Sequence, residues 1–177
     1  MKWSTGTAGC LLAVVALSTL TGCGTRAPDS DMTVDEAFAT ANPDVEGAFD
    51  AVFPRYEPLS RMREDACGDR QLLNSRKENL IRTRHSLDVT LPPTDRRSPA
   101  EIQDLMVGQL QMRGWMPTER TVPRDDSASV SASLSKRGTP AGVRIASTRE
   151  RSKSGPDTVI LHVTISSGCL NNPKAKL

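Results

Sequence analysis

The chain has 177 residues, with 23 Lys and Arg against 21 Asp and Glu, a formal net charge of +2 at pH 7 and a mean hydropathy of −0.40. That length holds one ordinary domain with a core of its own. Aromatic residues make up only 3%, which argues against sugar sites and single-stranded nucleic-acid sites, because both generally need stacking faces; no nucleic-acid partner is expected.

Residues 1–22 read as a secretory leader. Lys2 is the only charge, an apolar stretch runs from Cys10 to Leu20, and small residues close it. A membrane-spanning helix needs about 20 apolar residues, so this stretch is too short to be one. It ends in Leu20-Thr21-Gly22-Cys23, which resembles the lipobox of bacterial lipoproteins. The resemblance implies cleavage before Cys23 and transfer of diacylglycerol to its thiol, with acylation of the new amine. The alternative is a chance Leu-Thr-Gly-Cys in an ordinary leader. Each buried methylene contributes about 0.8 kcal/mol, so two or three acyl chains make release negligible. The expected location is the outer face of the plasma membrane, with the whole body after Cys23 outside the cytoplasm.

Residues 23–32 are the expected acylated tether, and 33–177 a single domain. Charge is unevenly ordered along it. Residues 29–50 hold seven of the acids and no base, whereas all bases but Lys2 and Arg26 lie after residue 50. A basic body at a membrane suits anionic lipid or an anionic wall polymer; the alternative is a solvated, arginine-rich surface. With Cys10 lost in the leader and Cys23 acylated, Cys67 and Cys169 remain, 102 positions apart. An even pair in an oxidising compartment predicts a disulfide, the alternative being two buried free thiols. Neither has a neighbouring ligand at zinc-type spacing, so no metal and no cofactor is expected.

In chain order, Thr33-Val-Asp-Glu36 has the form of a capping box and opens a short helix that Pro43 stops. Asn42-Pro43 then starts a second, with Val45, Ala48, Phe49, Val52 and Phe53 at helical spacing. After Pro54 and Pro58, Leu59, Met62 and Ala66 predict a further helical stripe delivering Cys67, ended by Gly68-Asp69. Asn79–Leu91 alternates and predicts a strand, with Ile81, Thr83, His85, Leu87, Val89 and Leu91 on one face. Ser98-Pro-Ala-Glu101 caps a helix with a stripe of Ile102, Leu105, Met106, Gln109 and Leu110. Gly114 suits its left-handed C-terminal position, and Trp115 folds back on the last turn. Strands follow at 129–136, 142–148 and 158–169, and their short turns predict an antiparallel meander. The fold class is α+β: an antiparallel sheet of about four strands packed against two main helices, with one disulfide pinning the N-terminal helix to the last strand.

This order, with Cys67, Gly114-Trp115 and Ser166-Ser167-Gly168-Cys169, resembles a class of small actinobacterial cell-envelope lipoproteins. The resemblance implies fold and location, not activity.

Candidate chemistry is sparse. His85 lies on the otherwise apolar side of its strand, predicting a half-buried histidine with one satisfied hydrogen bond; the alternative is a catalytic or pH-sensing role. His162 falls on the opposite face from Leu161 and Val163 and reads as a sheet-surface residue. No Gly-x-Ser-x-Gly elbow and no phosphate loop is present. The adjacent carboxylates Asp35-Glu36, Glu64-Asp65 and Asp125-Asp126 do not face one another as a glycosidase pair must. Arg82 and Arg84 share a strand face with Asp88, as a surface charge ladder or as a grip on a phosphate or carboxylate. The expected function is a non-catalytic, membrane-anchored envelope module binding a protein, a lipid or an anionic wall polymer. The alternative is an envelope hydrolase or transferase with a dispersed site.

Overall fold

The computed structural model describes residues 31–67, 80–121, 129–152 and 154–175. The expected leader, the Cys23 anchor, most of the tether and the Asp125-Asp126 pair lie outside the described residues. Helix α1 (Val34–Val52) opens on the capping box: the Thr33 side chain accepts from the Glu36 N–H, and a Glu36 carboxylate oxygen accepts from the Thr33 N–H at 2.8 Å. That backbone bond, stronger to the ionised form, holds the Glu36 carboxyl below its ordinary pKa. Pro43 sits inside α1 and does not stop it, which corrects the expectation of two helices. A mid-helix proline costs about 3 kcal/mol. The stripe Val34, Ala37, Phe38, Ala41, Val45, Ala48, Phe49 is buried on both sides of it, and each Val or Phe so buried stabilises by about 1.5–3 kcal/mol. The continuous stripe wins.

The segment after α1 is a strand, β1 (Leu59–Ala66), not the expected helical stripe. Leu59 and Met62 are 54% and 61% exposed, so no apolar face exists there for a helix to bury. What decides is the neighbour: β2 (Leu80–Leu91) has backbone donors and acceptors along its flank, and β1 pairs with it antiparallel over its whole length. Arg61, Arg63, Glu64 and Asp65 make β1 a charged outer strand, which suits an edge.

Helix α2 (Pro99–Gln111) has the expected capping box from Ser98 and Glu101. Gly114 has φ 87°, and the Trp115 and Gly114 N–H groups donate to the Leu110 and Gln111 carbonyls, closing the helix in a Schellman motif. Trp115 is buried, and its Nε1–H donates to Asp44 of α1 at 2.9 Å. Arg113 donates to the Gly47 carbonyl of α1 at 2.9 Å, so the end of α2 is bolted to α1 twice. Arg97, just before α2, pairs with Asp95 at 2.5 Å and covers the Phe53 ring at 4.9 Å. Its hydrogen bonds hold the Asp95 carboxyl below the usual range.

Strands β3 (Met116–Thr121), β4 (Val130–Ser135), β5 (Ala141–Glu150), β6 (Thr158–Ser167) and β7 (Leu170–Asn171) complete a sheet ordered β1-β2-β6-β5-β4-β3, with β7 pairing β2. Among the described residues the sheet has seven strands rather than about four. β1 was expected as helix, β3 shows no apolar alternation and is exposed throughout, and the expected last strand breaks at Gly168-Cys169 into β6 and β7. All strand pairs are antiparallel, and β3–β6 form a meander. Both helices lie on one sheet face, over the core that includes Ile81, Leu87, Ile145, Leu161, Val163 and Ile165.

Cys67 and Cys169 are bonded, with Cα atoms 5.8 Å apart. Cys67 follows β1 and Cys169 lies between β6 and β7. The bond therefore ties the edge strand to the last strands across the start of β2, where Ile81 pairs with both Ala66 and Leu170. It does not pin a helix, because the element that delivers Cys67 is a strand.

Candidate functional site

Among the described residues the second face of the sheet carries no helix. Antiparallel register sets its side chains in rows across the strands. One row runs Arg84, Ser166, Gly142, Ser135 from β2 to β4, and the next runs Ser86, Thr164, Arg144, Ser133. A cleft of about 750 Å³ opens over these rows, within the size range of small-ligand sites. Gly142 forms part of its floor. A Cβ there would meet nothing closer than the Leu134 carbonyl at 3.6 Å, so glycine is not required by packing, yet its lack of a side chain keeps the floor open. Arg144 stands between Thr164 and Ser133 and makes no ion pair among the described residues. Arg84 has only a long contact to Asp65, 3.8 Å. Two guanidinia with little neutralisation, flanked by hydroxyl donors, form a surface suited to phosphate or carboxylate oxygens.

His162 lies on this face, as expected, paired through Nδ1 with the Asp88 carboxylate, while Thr164 lies 2.9 Å from Nε2. Arg82, Arg84 and Asp88 share the face as the alternation indicated. Of the expected charge ladder, Arg84 reaches Asp65 of β1 and Asp88 reaches His162 of β6, while Asp65 also pairs with Arg63 on its own strand at 2.9 Å. Glu64 and Asp65 point to opposite faces of β1, and Glu36 is committed to its cap. Among the described residues no cluster of three or more His, Cys, Asp or Glu could hold a metal ion.

His85 is on the other face. It is buried, as an imidazole rather than a salt bridge: Nδ1 lies 3.1 Å from Asn42 Oδ1, and Nε2 lies 2.8 Å from Ser60 Oγ. An amide oxygen only accepts, so Nδ1 is placed to donate to Asn42, and an unprotonated Nε2 accepts from the serine hydroxyl. The two bonds fit the Nδ1–H tautomer of the ring. The expected single hydrogen bond is in fact two, from α1 and β1, and Asn42, read in the sequence as a helix cap, is a mid-helix partner instead. Ser60 drew no attention in the sequence. It stands 25 residues from His85, and Asn42 stands 43 away, separations at which no local motif signals a contact.

No family model matches this chain, and no curated protein matches it either.

Proposed function

We propose that the protein is a lipid-anchored recognition module of the cell envelope, held at the outer face of the plasma membrane by acyl chains on Cys23, and that its open sheet face binds an anionic polymer or headgroup. The observation that supports this most directly is Arg144, without an ion-pair partner among the described residues, in a cleft floored by Gly142. Nothing in this binding requires catalysis at that face. From Cys23 to Thr33 the chain spans at most about 35 Å, so the cleft stays within reach of the membrane and the inner wall.

Calorimetric titration with a synthetic poly(glycerol phosphate) tests it. Binding weakens as salt rises. Arg144→Ala lowers affinity about ten-fold or more, the worth of a charge-assisted hydrogen bond of roughly 1.5–3 kcal/mol. Gly142→Leu abolishes binding by filling the floor while leaving the unfolding midpoint close to that of the parent. Unchanged affinity in both variants means the open face is not the site. The anchor has its own test: Cys23→Ser is expected to leave the protein uncleaved or free in solution, and acyl labelling that persists in that variant excludes it.

The reading as an envelope hydrolase or transferase gains from one observation, the bonded Ser60–His85–Asn42 series.

A further inference from the structure

We infer that Ser60, His85 and Asn42 form a nucleophile–base–orienter relay that cleaves a carboxylic ester with an apolar acyl group. Three observations carry it. The bond lengths of 2.8 Å and 3.1 Å are those of an aligned relay. The partners are placed for the productive tautomer: Nδ1 faces an acceptor, Asn42 Oδ1, and Nε2 faces the hydroxyl. Exposure is distributed as such a relay needs: Ser60 is exposed while His85 is 6% exposed. Ile81, Leu87, Val89 and Leu91 on the same face of β2 are apolar, and the other polar side chain there, Thr83, has no hydrogen-bond partner for its hydroxyl, whereas His85 is bonded at both ring nitrogens.

The surroundings indicate the substrate. Met62 follows Ser60 by two residues on the same face of β1 and is 61% exposed, an apolar, unbranched contact for an acyl chain. β1 ends the sheet among the described residues, and an edge strand presents unpaired N–H groups, the donors that an oxyanion needs.

The step balances without a co-reactant other than water. Ser60 Oγ attacks the ester carbonyl carbon as its proton passes to His85 Nε2. The bond from that carbon to the alcohol oxygen breaks, and His85 returns the proton to the departing oxygen. Water then attacks the acyl-serine with His85 as base, releasing the carboxylic acid and restoring the Ser60 hydroxyl.

This relay lies on the helix-covered face, so it stands or falls separately from anion binding at the cleft. The test uses the full acylated protein in detergent, a fluorophosphonate probe and 4-nitrophenyl butyrate. The probe is expected to add to Ser60, found by peptide mass mapping, and Ser60→Ala abolishes both the adduct and the hydrolysis. Ser60 is exposed on an edge strand, so that variant folds. His85→Gln lowers the rate by about 10²–10⁴-fold, with the Cys67–Cys169 bond as its folding control. Asn42→Asp separates a relay from a structural link. The added carboxylate stabilises the imidazolium and moves the base's limb of the pH–rate profile up by about one pH unit. No adduct on Ser60, an adduct elsewhere, hydrolysis that survives Ser60→Ala, or an unmoved profile in Asn42→Asp each overturns the inference.

Discussion

Replacing Cys67 or Cys169 by alanine is expected to lower the unfolding midpoint by about 10 °C. The bond closes a loop spanning a sequence separation of 102, for which the chain-entropy model gives about 4.7 kcal/mol, and losing such a bond typically costs about 2–5 kcal/mol. For a domain of this size each kcal/mol moves the midpoint by about 2–4 °C. The fold adds a local reason. β1 is a charged edge strand that buries little, with five of its eight residues exposed, so its attachment rests on pairing with β2 and on this covalent tie. Exchange protection should therefore be lost first along Leu59–Ala66 in the alanine variant. A midpoint within 2 °C or so of the parent, with β1 still protected, would show that strand pairing alone suffices.

Trp115→Ala is expected to destabilise by about 3–5 kcal/mol, the range for deleting a large buried aromatic. Trp115 is 1% exposed. It stands immediately after the Schellman turn, so its side chain seals the end of α2, and its indole N–H satisfies Asp44 beside the Lys136 ammonium, 2.7 Å from the same oxygen. The alanine variant removes the seal and one of the two donors at once. Trp115→Phe keeps most of the apolar volume and loses the hydrogen bond, so it should cost about 1–3 kcal/mol. Met116→Ala, one residue on and 70% exposed, should change stability by less than about 0.5 kcal/mol. Chemical denaturation of the three variants checks the order, and equal losses for Trp115→Ala and Trp115→Phe would place the whole effect in the Asp44 bond.

The elements legible in the sequence were those whose signal is local. β2 alternates cleanly because one of its faces is buried and the other open. The caps of α2 were readable because Ser98, Glu101 and Gly114 satisfy backbone groups within a few residues of themselves. The misreadings share a cause. Pro43 is a local stop signal overruled by a stripe of seven buried residues, and Leu59, Met62 and Ala66 have helical spacing but no partner face. β3 has almost no side-chain signal, because every one of its residues is exposed; its pairing with β4 is a backbone event. The candidate sites follow the same division. Period-2 alternation put Arg82, Arg84 and Asp88 on one face of their strand and His162 on the surface side of its own, and the register of β2 with β6 brings them to one face. Arg144 and Gly142 were not singled out, since their meaning lies in which strands β5 separates.

By itself, then, the sequence determined the α+β class, the capped second helix, the alternation of β2 and the pairing of two cysteines, all from periodicity, capping chemistry and counting. The tertiary structure alone decided that α1 runs through its proline, that Leu59–Ala66 is an edge strand, that the disulfide joins strands, and that Asn42, Ser60 and His85 meet. The physical reason is common to all four. Each depends on what a segment buries or pairs against, and those partners lie far away along the chain.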